Sequence, residues 1–218
     1  MKQIVFILLS GWLFFSCNKK EEQEFDFGYS YFPVTAGTYR HYLVDSIGHD
    51  ITSDTSAYQI KEVLGESYID DTGHPAVNVM RYKRFQNGQP WILQAVWVQQ
   101  RKTTTAERVE NNERFVTMVF PLQPDKTWNG NAFNTRDPWM YSYANIGAFY
   151  EVGPFDFENT VTVNQRNSVN LIDQEIAFEV YAADIGMIYK KYVDLNIQQD
   201  GMRGIELEMR LIDFGQEE

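Results

Sequence analysis

The stretch Pro75-Ala-Val-Asn-Val-Met-Arg-Tyr-Lys-Arg-Phe-Gln-Asn-Gly-Gln-Pro-Trp-Ile-Leu-Gln-Ala-Val-Trp-Val-Gln-Gln-Arg101 reads as two strands joined by a turn. Its flanks, Pro75 to Gln86 and Trp91 to Arg101, are rich in β-branched and aromatic residues with an alternating pattern. Asn87-Gly88 between them is the strongest hairpin signal in the chain, because both residues tolerate the positive φ of a type I′ turn. Trp91 and Trp97 lie six apart, which places them on one face.

The same grammar extends both ways. Upstream come Thr38 to Ile47, Thr55 to Leu64 and Ser67 to Asp70, with Asp71-Thr72-Gly73 as a turn. In the first of these Tyr39, His41, Leu43 and Asp45 share one face and Arg40, Tyr42, Val44 and Ser46 the other. Downstream come Ala106 to Glu110 and Arg114 to Leu122 around Asn111-Asn112, then a loop-like Gln123 to Arg136. Tyr141 to Ile146, Asn159 to Gln165, Glu175 to Ala182, Met187 to Ile197 and Gly204 to Phe214 follow. Helical periodicity is nearly absent, and the short gaps exclude parallel crossovers, so the sheet is expected to be antiparallel and meandering. About a dozen strands exceed what one flat sheet carries. The expectation is an all-β fold, a strongly curved or barrel-like sheet similar to a lipocalin or to the half-barrel of lipoprotein carriers; the alternative is a two-sheet β-sandwich. A membrane-spanning barrel is not expected, because both faces carry charges.

The beginning of the chain concerns location. Lys2 is followed by an apolar run of about 12 residues, Ile4 to Phe15, too short to span a bilayer and typical of a secretory signal peptide. Phe14-Phe15-Ser16-Cys17 resembles a bacterial lipobox, although Phe14 and Phe15 stand where the motif favours Leu and a small residue. Cys17 is the only cysteine, so it has no partner for an internal disulfide; the resemblance implies that it carries lipid, palmitate included, and becomes the new N-terminus. Asn18 to Glu24 is polar throughout and reads as a tether. The expected organisation is a signal peptide over 1–16, lipidated Cys17 and tether over 17–27, and one all-β domain over 28–218. The expected location is the bacterial envelope, as an outer-membrane lipoprotein on the periplasmic face or the cell surface.

With 30 acidic and 19 basic residues the chain has a net charge of −11, which repels nucleic acid and anionic lipid surfaces. Its 13 Tyr, 15 Phe and 5 Trp supply a core. Several stretches together are similar to uncharacterised Bacteroidota lipoproteins. They are Tyr31-Phe32-Pro33 with Gly37 and Tyr42; Phe120-Pro121-Leu122 with Lys126 to Asn131; Thr160 to Val163; and Val180-Tyr181-Ala182 leading to Gly186 to Lys190. That family carries no activity to transfer, and the motifs read as structural.

Signatures of the common enzyme classes are missing: there is no Gly-x-Ser-x-Gly elbow, phosphate-binding glycine loop, dinucleotide fingerprint or His-Glu-x-x-His helix. The three histidines are His41, His49 and His74; His49-Asp50 and Asp70 to His74 sit at turns, where Asp serves the turn backbone more simply than it serves a metal. No metal, cofactor or catalytic residue is assigned. Asp45-Ser46-Ile47 resembles an O-glycosylation motif of exported Bacteroidota proteins.

What remains is aromatic. Trp128, Trp139, Tyr141, Tyr143, Phe149 and Phe155 are the candidate ligand-binding residues, a set of flat rings suited to a small apolar molecule or a sugar face. The expected function is a membrane-anchored, non-catalytic binding module for such a ligand. The alternatives are an envelope structural or protein-interaction lipoprotein with a solid core and, last, a hydrolase.

Overall fold

The computed structural model describes residues 25–217 apart from 51 and 200. The signal peptide, Cys17 and the tether up to residue 24 therefore lie outside the described residues. A single 3₁₀ turn (Tyr29–Tyr31) precedes twelve strands: β1 (Thr38–His49), β2 (Asp54–Ile69), β3 (Pro75–Arg84), β4 (Ile92–Arg101), β5 (Thr105–Glu110), β6 (Glu113–Val119), β7 (Thr127–Asn129), β8 (Met140–Val152), β9 (Phe155–Val169), β10 (Asp173–Ala182), β11 (Gly186–Gln198) and β12 (Gly201–Gln216). Among the described residues no helix is long and apolar enough to cross a membrane.

All twelve strands form one antiparallel sheet in the order β6-β5-β4-β3-β2-β1-β12-β11-β10-β9-β8-β7. The sandwich alternative is thereby excluded; the sheet curls into a nearly closed barrel. The first and last strands pair with each other, so the open seam falls between β6 and β7, which are neighbours in sequence. Across the seam Val116 N–H donates to the Gly130 carbonyl at 2.8 Å, and the Trp128 indole donates to the Val116 carbonyl at 2.9 Å. The Tyr143 hydroxyl donates to the carbonyl of Val119 and accepts from its N–H. Side chains thus satisfy edge groups that a ladder would otherwise pair.

One end of the barrel is plugged. Phe32 and Tyr31 are buried there, Gln99 donates to the Pro33 carbonyl at 2.7 Å, and Arg101 donates to the carbonyls of Tyr29 and Phe32. Gly186 has φ +92, and a Cβ on it would meet Arg40 at 2.3 Å, which accounts for glycine at that strand start. The β8–β9 hairpin bends over β10 and β11 to reach β12, packing Tyr150 against Tyr189 at a tilt and Phe155 edge-on against Phe214, at ring distances of 5.8 and 5.2 Å. Positive φ at Asn145 and Gly147, and register shifts on either side of Ala148, make that bend.

Three sequence expectations need correction. Ser67 to Asp70 is no separate strand but the end of β2, carried on through an irregularity between Leu64 and Ser67. Asn87-Gly88 does not form a type I′ turn: Gly88 alone has positive φ, within a seven-residue connection closed by Gln89 N–H to the Gln86 carbonyl. The two-residue turn with both φ positive is Asn111-Asn112, at 50° and 66°. Trp91 and Trp97 part company, because a register shift between Arg81 and Tyr82 breaks the parity of the strand. Trp97 lies under Arg81 and Trp91 against His41.

Candidate functional site

The alternation of β1 holds as read: Arg40, Tyr42 and Val44 are buried in the barrel, and their neighbours face outward. The interior is therefore not purely apolar. Arg40, Glu62 and Arg81 come together on β1, β2 and β3, with Arg40 and Glu62 3.7 Å apart and Arg81 donating to Glu62. Farther toward the open end, β10 and β11 bring Glu179 and Lys190 into a cross-strand pair at 2.8 Å, and the Tyr181 hydroxyl donates to the other Glu179 oxygen. Burial opposes ionisation of Glu179, but Lys190, Arg108 and these hydrogen bonds outweigh it and bring its pKa down to about 2. Burial pushes the Tyr181 phenol up, and Glu179 pushes it further, so it remains a donor.

Glu179 and Lys190 belong to the floor of a cleft of about 150 Å³ at the unplugged end, where the seam opens. Arg108 and Glu110 come from β5, Phe115 and Thr117 from β6, Tyr141 from β8, Gln165 from β9, Glu179 from β10, and Lys190 and Tyr192 from β11. Arg136 and Trp139, in the segment joining β7 to β8, form its rim. That segment is fixed by Asn129, whose side-chain oxygen accepts from the backbone N–H of Asn131 and Trp139, and by Gly130 N–H donating to the Trp139 carbonyl. Arg136 is clamped on Glu113 through Nε at 2.9 and 3.0 Å. A second hollow of about 260 Å³ continues outward over the same Phe115, Arg136, Trp139 and Tyr141.

Of the six aromatic residues expected to bind ligand, Trp139 and Tyr141 line the cleft, and Trp128 packs edge-on against Tyr141 at 5.9 Å. Trp128 is buried in the seam, 4.6 Å from the Tyr143 ring, and Tyr143 is held on Val119. Phe149 is exposed on β8, and Phe155 belongs to the aromatic cluster with Phe157 and Phe214 at the plugged end. Sequence reasoning missed Arg108, Lys190 and Glu179. The signal available was β5 itself, where Ala106 and Arg108 share one face and Glu107 takes the other, so one charge of an adjacent pair has to point inward.

The histidines lie apart. His49 meets Glu206 at 2.8 Å, His74 meets Thr72, and His41 meets Gln59. Among the described residues no group of three or more His, Cys, Asp or Glu could hold a metal ion. Asp70 accepts from the N–H groups of Thr72 and His74, the turn role expected for it. Ser46 is half-buried in a strand paired on both sides, beside Asp45, which is held by Arg210.

A larger concavity, about 680 Å³, lies along the β3–β4 hairpin against Phe85, Pro90, Ile92 and Leu93. It is shaped by that hairpin alone. The mouth cleft, by contrast, gathers charged and aromatic groups from six strands, and convergent polar groups are what a specific ligand needs.

No protein-family model and no curated protein matches the chain. Two solved structures resemble it. A candidate exported protein with a YmcC-like fold from Bacteroides fragilis has 11% identity and a TM-score of 0.43, over 85% of this chain and 98% of its own. A candidate lipoprotein from Parabacteroides distasonis has 9% identity and a TM-score of 0.40, over the same shares.

Proposed function

We propose that this chain is an exported lipoprotein, acylated at Cys17 and held on the outer membrane, that binds a saccharide non-catalytically in the mouth of its barrel. The observation that carries the binding reading is the cleft itself: the half-buried ring of Trp139 stands at its rim, and its floor, with Tyr141 buried beside it, carries charged donors and acceptors. Rings of that kind receive the apolar face of a sugar while the floor meets its hydroxyls. A wholly apolar ligand fits less well, because it would strip water from Glu179 and Lys190 without replacing any hydrogen bond.

The geometry of anchoring agrees with this. Phe27 stacks on Tyr29 and Tyr29 packs on Phe120, so the chain leaves the barrel at the plugged end. Lipid on Cys17 would then hold the plugged end toward the membrane and turn the mouth away from it. Replacing Cys17 with Ala is expected to move the protein from the membrane to the soluble fraction.

The competing reading, an envelope interaction protein, is favoured by the solid interior beneath the cleft, where Tyr42, Ile60, Met118 and Leu211 are fully buried. Native mass spectrometry of protein purified from its host separates the two. The saccharide reading expects a bound mass that is released on unfolding, is absent from Trp139→Ala and persists in Phe149→Ala. An apo mass, or a bound mass indifferent to Trp139, would favour the interaction reading.

A further inference from the structure

Arg108 is only 4% exposed, yet it makes a single hydrogen bond, from Nη1 to Glu110 at 3.4 Å, and its Nε has no partner. A guanidinium has five donors, and leaving them unmade in a buried site is costly unless an acceptor arrives. No nearby carboxylate other than Glu110 hydrogen-bonds it. Glu179 holds Lys190 and the Tyr181 hydroxyl, and Glu62 holds Arg81 with Arg40 3.7 Å away. Of the three cations that line the cleft, Arg136 is paired with Glu113 and Lys190 with Glu179, which leaves Arg108 with Glu110 alone as its hydrogen-bond partner. The cleft therefore holds an under-used guanidinium in its lining.

We infer that the saccharide taken by this cleft carries an anionic group, a carboxylate or a phosphate, and that Arg108 binds that group. A guanidinium already withdrawn from water and fixed by its strand meets such a group bidentately, with little further desolvation. Glu110 is the competitor, at the long distance that a displaceable partner would show. The inference rests on the saccharide reading and narrows it to a class.

The test is a glycan array printed with neutral, uronic-acid-containing and phosphorylated oligosaccharides, probed with the wild-type protein and with Glu110→Gln, Arg108→Lys and Arg108→Gln. Anionic members are expected to bind at least tenfold more strongly than neutral ones, the uronic and phosphorylated arms separating the two sources. Arg108→Gln is expected to erase the preference and Arg108→Lys to keep part of it. Glu110→Gln, which frees the guanidinium, is expected to tighten anionic binding several-fold, a gain that misfolding does not imitate. Anionic binding unchanged in Glu110→Gln and Arg108→Gln would overturn the role of Arg108. Hits confined to neutral members would overturn the anionic class and leave the saccharide reading standing. An array without hits would overturn both.

Discussion

Both carboxylate oxygens of Glu179 are engaged inside the barrel, and its pKa falls from the usual 4.5 to about 2. A lowered folded-state pKa means stability that is full above 4.5 and is lost as pH falls from there through 2, about 3 kcal/mol in all. Urea unfolding at pH 7, 4 and 3 checks this: Glu179→Gln is expected to be less stable than wild type at pH 7, with the gap narrowed at pH 4 and narrower still at pH 3. At the rim, a Cβ on Gly130 would meet the Tyr141 ring at 2.3 to 2.6 Å. Gly130→Ala is expected to cost about 1–3 kcal/mol and to weaken ligand binding, because Tyr141 has to move. Trp139 and Tyr141 were legible in the sequence as candidates because rings announce themselves. Arg108, Lys190 and Glu179 were not, since a charged residue on a strand reads as solvated until closure of the sheet decides which face is inside.

At the level of elements, turn chemistry was readable where the loop is short. Between β5 and β6 only Asn111 and Asn112 are available, so both take positive φ; the longer β3–β4 connection relieved Asn87 of that demand. Replacing both Asn111 and Asn112 with Ala is expected to destabilise the protein by about 1–2 kcal/mol per residue, and Asn112→Gly to be neutral or mildly stabilising, as thermal unfolding would show. The seam was not readable. Nothing in a strand pattern says that a tyrosine hydroxyl and an indole will stand in for a missing ladder. Tyr143→Phe removes both hydrogen bonds to Val119 and is expected to cost about 1–3 kcal/mol. Hydrogen exchange is expected to quicken at Val119 while the β1–β12 amides stay protected; uniform quickening would mean that the seam is not a local feature.

On the scale of the whole molecule, the meander was legible from gap lengths, and its curvature from the number of strands. The pairing of β1 with β12 was not, because it joins residues as far apart as Thr38 and Gln216 and leaves no local trace. That closure puts the plug and the mouth at opposite ends, and both depend on it. Phe32→Ala at the plug is expected to cost about 3–5 kcal/mol in urea unfolding without altering ligand preference, since it empties a core position remote from the cleft. The claim that the mouth is the ligand site is met most directly by fluorine NMR of the protein labelled with 5-fluorotryptophan, titrated with oligosaccharides from its host envelope. The account predicts a saturable shift of the Trp139 resonance while Trp97, in the barrel wall, and Trp128, buried in the seam, stay fixed. A titration that leaves Trp139 still and moves Trp91, beside the β3–β4 hairpin, would contradict it.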